Sequence, residues 1–135
     1  TKLERYLNQA KNIAEFLINH PNMPEDMIPY WDFNASDIPN ALRDASAGSI
    51  MASALIELSG YVGPDDARLY LDVAEKQLRT LASPAYLAKP GENGGFILKH
   101  GVGHLPGKSE IDVPLTYADF YFIEALLRFR KLSLE

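Results

Sequence analysis

The sequence contains no cysteine, so disulfide bonds and thiolate metal sites are excluded. It also has no apolar run of about 18 residues, the length that a membrane-spanning helix requires. Positive charge is not in excess: 13 lysine and arginine residues stand against 18 aspartate and glutamate residues, for a net charge of −5. General attraction to nucleic acid or to an anionic membrane is therefore not expected, and neither is predicted as a partner.

The chain is long enough, at 135 residues with 47% hydrophobic residues, to form one domain with a real core. It starts with Thr1 rather than Met and enters a helical pattern almost at once. We therefore expect residues 1–135 to be a single piece of a longer polypeptide. That expectation leaves the cytoplasm and the periplasm open as the compartment.

Four segments have the apolar spacing of α-helices. Segments 2–19 and 64–82 each carry one apolar stripe, which is typical of an outer helix with one face toward solvent. Segments 44–59 and 116–130 are apolar on most sides, which is typical of an inner helix with neighbours all round. The sequence thus predicts helices that alternate between outer and inner positions.

The connections between these helices are unequal. Each inner helix follows a long loop rich in proline, glycine and aromatic residues, whereas the link at 60–63 is only a few residues long. Within the second long loop, residues 96–99 predict a short strand. A faint repeat at a spacing of 64 residues, Tyr6-Leu7-x-x-Ala10 and Tyr70-Leu71-x-x-Ala74, favours stacked hairpins. We predict an all-α slice of a helical toroid: about two hairpins with the long loops on one face.

The second long loop contains a basic stretch, residues 96–108, with Lys99, His100, His104 and Lys108 and no acid. It should lie where the inner helices begin, and free N–H groups at helix N-termini favour an anion. We predict that the stretch helps to hold a carboxylate or sulfate of a substrate; the alternative is a solvated loop that is basic by chance. Its glycines and proline make a helix unlikely there, so the two histidines do not predict a metal site.

The first long loop carries Tyr30, Trp31 and Asp32. The aromatic rings would suit stacking on sugar rings, and the aspartate would suit orienting a sugar hydroxyl. The alternatives are that Trp31 plugs the loop into the core and that Asp32 only forms a turn.

Charged residues near the starts of the inner helices have competing interpretations. Arg43 pairs with an acid or reaches a substrate carboxylate, while Asp44 has the position of an N-cap. Thr116 and Asp119 have the spacing of a capping box. Asp112 has no obvious local role and is predicted to face the cleft.

Two stretches resemble a known family: YWDFNASDIPNALRDASAGSIMASALIEL and GGFILKHGVGHLPGKSEIDVPLTYADFYFIEALLR. They are similar to the C-terminal third of the unsaturated glucuronyl hydrolases, glycoside hydrolase family 88. The resemblance implies a partial (α/α)6 toroid that lacks the N-terminal part of its barrel. It also implies a substrate, an unsaturated uronic-acid oligosaccharide left by a polysaccharide lyase.

The resemblance further implies a reaction without a metal or organic cofactor. An aspartate protonates the enol-ether double bond of the 4,5-unsaturated uronic acid, water adds at the ring carbon bearing the carboxylate, and the hemiketal opens. The two key aspartates of the family lie in parts of the barrel that this chain does not match. No catalytic role is therefore carried over to Asp32, Asp44, Asp112 or Asp119, and the chain alone is predicted to be inactive.

In some relatives a late loop recognises substrate sulfate through two serines and a lysine. This chain has Gly101 and His104 at the serine positions, with Lys108 nearby, so a sulfate preference is not implied. The related unsaturated rhamnogalacturonyl hydrolases and a non-enzymatic helical-repeat interaction module remain as alternatives. Because a toroid slice has open edges, we expect self-association or a missing partner segment.

Overall fold

The computed structural model describes residues 3–132, in which the fold is mainly helical as predicted. The predicted start of the first helix at residue 2 lies outside the described residues. A two-stranded antiparallel sheet, absent from the all-α prediction, is inserted before the last helix. The elements, in chain order, are α1 (Glu4–Ile18), α2 (Ala45–Ser59), α3 (Pro64–Leu81), β1 (Gly101–His104), β2 (Ser109–Val113) and α4 (Thr116–Leu132).

Helix α2 lies at the centre of the fold, packed mainly against α3 and α4. Small residues on several of its faces allow this close approach: Ala45 and Ala52 are fully buried, and Gly48 lies under Ile28. A Cβ at position 48 would come within 2.8 Å of the Ile28 side chain, so the glycine lets the loop between α1 and α2 lie against the helix. The predicted burial of this inner helix is confirmed.

Helices α1 and α4 form the two edges of the described structure. Helix α1 buries only Ala14, and α4 buries only Ala118, Phe122 and Ala125. The prediction that α4 is enclosed on most sides is therefore wrong for this chain, because α4 packs chiefly against α2. Large apolar side chains remain exposed on both edge helices: Tyr6, Ile13, Phe16, Tyr117, Phe120, Ile123, Leu126, Leu127 and Leu132.

Two long connections lead to α2 and α4, and we call them the first loop (residues 19–44) and the second loop (residues 82–115). The predicted strand at 96–99 is wrong: Leu98 makes only an isolated bridge to Leu87. The regular strands are β1 and β2, which pair as a hairpin with an irregularity between Gly101 and Val102. The glycine- and proline-containing turn 105–108 supplies the reversal between them.

None of the helices within residues 3–132 combines the length and the apolarity that crossing a membrane requires.

Candidate functional site

Asp44 joins both loops to the start of α2. Its carboxylate oxygen Oδ1 accepts from the Ser46 N–H at 2.9 Å and the Ser46 hydroxyl at 2.7 Å, so the predicted N-cap is confirmed. The same oxygen accepts from the Val102 N–H at 3.2 Å, which ties the hairpin to the helix. The Asp44 N–H in turn donates to the Pro29 carbonyl at 2.9 Å. The aromatic segment and the basic segment therefore lie at the same end of the bundle.

The first N–H groups of α2 already have acceptors within the protein. Ala45 donates to the His100 carbonyl at 3.0 Å, and Ser46 donates to the Asp44 carboxylate. The prediction that free N–H groups at the start of this inner helix hold a substrate anion is therefore wrong, because these donors are used to fix the loops.

An open groove of about 520 Å³ lies between the end of α1, the first loop and α2, and we call it the aromatic groove. Trp31 is half-buried and lines this groove instead of joining the hydrophobic core, so the alternative of a core plug is wrong. Asp32 is exposed in the same groove, and its carboxylate accepts from the Asn34 N–H at 2.8 Å, as a turn-forming aspartate does. The lining residues are Phe16, Leu17, His20, Pro29, Tyr30, Trp31, Asp32, Phe33, Asn34, Asp44, Ala47, Ile50 and Met51.

One wall of the aromatic groove comes from the end of α1 and the start of the first loop, and it was not predicted. The His20 imidazole stacks on Phe33 with ring centroids 4.1 Å apart, and Phe16 contacts it edge-on at 5.3 Å. His20 lies between the end of α1 at Ile18 and Pro21. Its position at the start of the loop that carries the other aromatic residues is the sequence feature that could have identified His20 as part of the groove.

Arg43 is used inside the first loop. Its guanidinium forms an ion pair with Asp26, its Nε–H donates to the Ile28 carbonyl at 2.7 Å, and it lies 5.1 Å above the Tyr30 ring. Of the two interpretations from sequence, pairing with an acid is the one found. Arg43 thereby holds Tyr30, whose hydroxyl donates to the Pro39 carbonyl at 3.4 Å, in the wall of the aromatic groove.

The basic residues of the second loop divide into two groups. The Lys99 ammonium donates to the Pro84 carbonyl at 2.8 Å and so fastens the loop to itself. His104 and Lys108 are exposed at the turn of the hairpin, at the end of β1 and just before β2. Among the described residues of the basic stretch, His104 and Lys108 are the two exposed at the hairpin tip, where an anionic ligand would meet them.

His100 lies at the base of the hairpin. Its Nδ1 is 2.6 Å from a carboxylate oxygen of Asp112, and its ring contacts Tyr86 edge-on with centroids 5.9 Å apart. Burial raises the pKa of the Tyr86 phenol, which Arg43 partly opposes. Tyr86 therefore stands in the interior between His100 and the charged groups of the first loop.

Asp119 has a role other than the predicted capping box. Its two carboxylate oxygens accept from the backbone N–H groups of Ile97 at 2.8 Å and Leu98 at 2.9 Å. The prediction failed because the capping-box spacing describes only neighbours along the helix, whereas these partners lie more than twenty residues earlier. Asp119 is thus the residue that fixes the second loop to α4.

In residues 3–132 no group of three or more histidine, aspartate or glutamate side chains is arranged to hold a metal ion. His100 is engaged with Asp112, while His104 projects at the other end of β1.

No family model matches the chain. It is 47% identical over all of its 135 residues to an unsaturated glucuronyl hydrolase of Formosa agariphila, of which it covers 33%. The crystal structure of an unsaturated glucuronyl hydrolase specific for heparin matches the whole chain with a TM-score of 0.96 and 50% identity, and 36% of that protein is covered. A mutant of the Streptococcus agalactiae unsaturated glucuronyl hydrolase, complexed with dGlcA-GalNAc6S, matches with a TM-score of 0.83 and 27% identity over 95% of this chain and 34% of that one.

The chain spans about a third of the length of these relatives. Over that third, the helical fold of this chain matches the folds of these relatives. Sequence and fold together relate the whole of this chain to part of the unsaturated glucuronyl hydrolases and confirm the resemblance that its motifs predicted.

Proposed function

We propose that the chain supplies part of the substrate-binding rim of a hydrolase that releases 4,5-unsaturated uronic acid from lyase-generated oligosaccharides. The observation that carries the proposal is the similarity of its entire length, in sequence and in fold, to unsaturated glucuronyl hydrolases. The names of these relatives favour a glucuronyl substrate over a rhamnogalacturonyl one and an enzyme over a helical-repeat interaction module.

The aromatic groove and the hairpin tip supply two kinds of contact to an acidic sugar. In the groove, the Tyr30 and Trp31 rings offer apolar faces on which a sugar ring stacks. At the tip, His104 and Lys108 present donors to carboxylate or sulfate oxygens. Asp44 lines the groove and accepts from Val102 at the base of the hairpin, which links the two regions.

The chemistry is hydration of an enol ether, in which an aspartate delivers the proton to the double bond and water adds at the carbon that bears the carboxylate. We assign that proton to no residue of this chain. Three carboxylates near the loops are already hydrogen-bonded within the protein. Asp44 accepts from Ser46, Asp119 accepts from Ile97 and Leu98, and Asp112 pairs with His100. The chain by itself is therefore expected to bind without turnover.

The exposed apolar faces of α1 and α4 belong in this proposal to contacts with the rest of the barrel. Ile13 on α1 is 50% exposed and Phe120 on α4 is 60% exposed. In the absence of the other two thirds, the same faces would bring copies of the chain together. Sedimentation should show concentration-dependent self-association; a stable monomer at all concentrations would contradict this part of the proposal.

The central test is a chimera in which this chain replaces the matching third of the Formosa agariphila relative. Hydrolysis of an unsaturated glycosaminoglycan disaccharide is followed as loss of the ultraviolet absorbance of its double bond. We expect turnover by the chimera and none by the isolated chain. A chimera with a native circular dichroism spectrum that neither binds nor hydrolyses the sugar would contradict the proposed function.

Two variants of the chimera test whether the aromatic groove contacts the sugar. Trp31→Ala should raise KM about fivefold, since one aromatic contact is lost. The matched control is Tyr61→Ala, which removes an exposed aromatic ring from the link between α2 and α3, at the other end of α2. Equal effects of the two substitutions would show that the groove is not a sugar site.

A further inference from the structure

A histidine and an aspartate meet at the base of the hairpin. The Nδ1 of His100 and a carboxylate oxygen of Asp112 are 2.6 Å apart, and the two side chains are 45% and 46% exposed. Among the described residues, the imidazole Nε2 has no hydrogen-bond partner. The pair therefore leaves one ring nitrogen accessible to a ligand.

The backbone at both residues has a costly conformation. His100 has a φ of +65° and Asp112 a φ of +53°, in the left-handed region that residues other than glycine seldom adopt. Such conformations persist where the surroundings fix them, and they cluster at functional sites. Here the His100 carbonyl accepts from Ala45 at the start of α2, which fixes the backbone of the histidine independently of its side chain.

The pair adjoins the proposed saccharide site. The His100 ring contacts Tyr86, a buried residue whose phenol senses the charges of Arg43 and Asp26 in the first loop. The backbone N–H of Val102, two residues after His100, donates to the carboxylate of Asp44, which lines the aromatic groove. His100 is thus held on the loop face, beside the junction of the groove and the hairpin.

We infer that Asp112 is a positioning residue that fixes the imidazole of His100, so that His100 contacts the sugar through Nε2. The Asp112 carboxylate accepts from Nδ1–H and selects the tautomer whose Nε2 carries a lone pair. Nε2 then accepts a hydrogen bond from a hydroxyl of the acidic saccharide. This inference rests on the proposed function and adds to it two residues with separate roles.

The first experiment examines the pair in the 135-residue chain without any substrate. Nitrogen-15 NMR of the imidazole reports which ring nitrogen carries the proton. We expect the Nδ1–H tautomer for His100, retained in Asp112→Asn, whose side-chain oxygen still accepts, and lost in Asp112→Gly. Glycine tolerates the positive φ, so the change removes the carboxylate without adding backbone strain.

Glu110→Gly is the matched control, because Glu110 lies on the same strand with a φ of +52° and carries an exposed carboxylate. It should leave the tautomer of His100 unchanged. An Nε2–H tautomer in the unsubstituted chain would overturn the inference, whatever the outcome for the proposed function.

The second experiment uses the active chimera. His100→Asn and Asp112→Gly should each raise KM about fivefold with kcat nearly unchanged, whereas Asp112→Asn and Glu110→Gly should change KM less than about twofold. The double variant His100→Asn with Asp112→Gly should be no worse than His100→Asn alone, because the aspartate acts through the histidine. Additive effects would overturn the inference, as would a loss confined to kcat or to thermal stability.

Discussion

The two long loops meet at Asp44 but are held in different ways. The first loop is held by two side-chain hydrogen bonds from α3: Gln77 donates to the Met27 carbonyl at 2.9 Å, and Thr80 donates to the Asp26 carbonyl at 3.1 Å. The second loop is fixed at its middle by Asp119, and beyond that point its hairpin pairs mainly with itself.

This difference suggests that the first loop is part of the structural framework and that the hairpin of the second loop is free to vary for substrate recognition. The first loop contributes buried residues such as Ile28 to the core, so the part of the aromatic groove that this loop forms is fixed to the helices it packs against. The hairpin from residue 103 to 110 is almost wholly exposed, so changes there cost little stability. Substitutions that alter substrate preference are therefore expected to gather in the second loop.

The largest effect should come from removing the anchor shared by both loops. Asp44→Ala loses the N-cap of α2 and the bond to Val102, and should lower the free energy of unfolding by about 2.5 kcal/mol. Urea unfolding measures the loss. Asp37→Ala, an exposed aspartate of the first loop, is the control and should change stability by less than about 0.5 kcal/mol.

Within the hairpin, the two glycines of β1 should respond differently. A Cβ at Gly101 would lie 2.8 Å from the Val113 carbonyl oxygen and 2.7 Å from Leu115, so Gly101→Ala should cost about 2 kcal/mol. At Gly103 the new atom meets the flexible carboxylate of Glu110, so the cost should be about 0.5 kcal/mol. Equal thermal midpoints for the two variants would show that the base of the hairpin is as pliant as its tip.

Arg43→Ala tests how firmly the first loop is held. The variant loses the ion pair with Asp26 and the bond to the Ile28 carbonyl, and should cost about 1.5 kcal/mol. Arg68→Ala breaks a largely exposed pair on α3 and should cost less than about 0.5 kcal/mol. If urea unfolding gives the same small loss for both, the first loop is not part of the framework.

Asp119→Asn makes the corresponding test of the second loop. An amide oxygen cannot accept as well as two carboxylate oxygens from the Ile97 and Leu98 N–H groups, and the loss should be about 1 kcal/mol. Hydrogen exchange should accelerate at these two amides and not at the N–H groups of the first loop. Unchanged exchange would show that Asp119 does not fasten the second loop.

The smallest effect concerns pH at Tyr86, between the two loops. Burial raises the pKa of its phenol, so as the pH rises through about 10 the unfolded chain loses the proton before the folded chain does. Stability should therefore fall in that range, and Tyr86→Phe should make the decline shallower. Tyr61→Phe, an exposed ring, is the control, and an identical slope in both variants would contradict the assignment.

The local rules of the sequence predicted the helices and the cap of α2 well, although the capping box predicted for α4 was wrong. Helix α2 was predicted at 44–59 and runs from Ala45 to Ser59, with Asp44 as its cap, because capping depends on neighbouring residues. The hairpin was missed because glycines and a proline hide its alternation. It also contains positive φ values at Lys108 and Glu110, which no propensity predicts.

The candidate site was predictable in location and less so in detail. The aromatic segment and the basic segment were expected on one face, and both contact the start of α2. What the sequence did not show is which polar side chains the fold uses for itself: Lys99 reaches Pro84 and Asp119 reaches Ile97. Such pairings depend on tertiary contacts between residues far apart in the chain.

Helix α1 has few contacts with the rest of the fold, and this has a thermodynamic consequence for a ligand that binds in the aromatic groove. The helix buries a single residue, Ala14, and is tied to α3 by an exposed ion pair of Lys11 with Asp66, yet its Phe16 forms part of one wall of the groove. Ligand affinity is then scaled by the population in which α1 is docked. A ligand in the groove should therefore shift the population toward the docked position of α1. Any contact that stabilises this docked position from the other side of the helix should raise the affinity for the ligand without contacting the sugar.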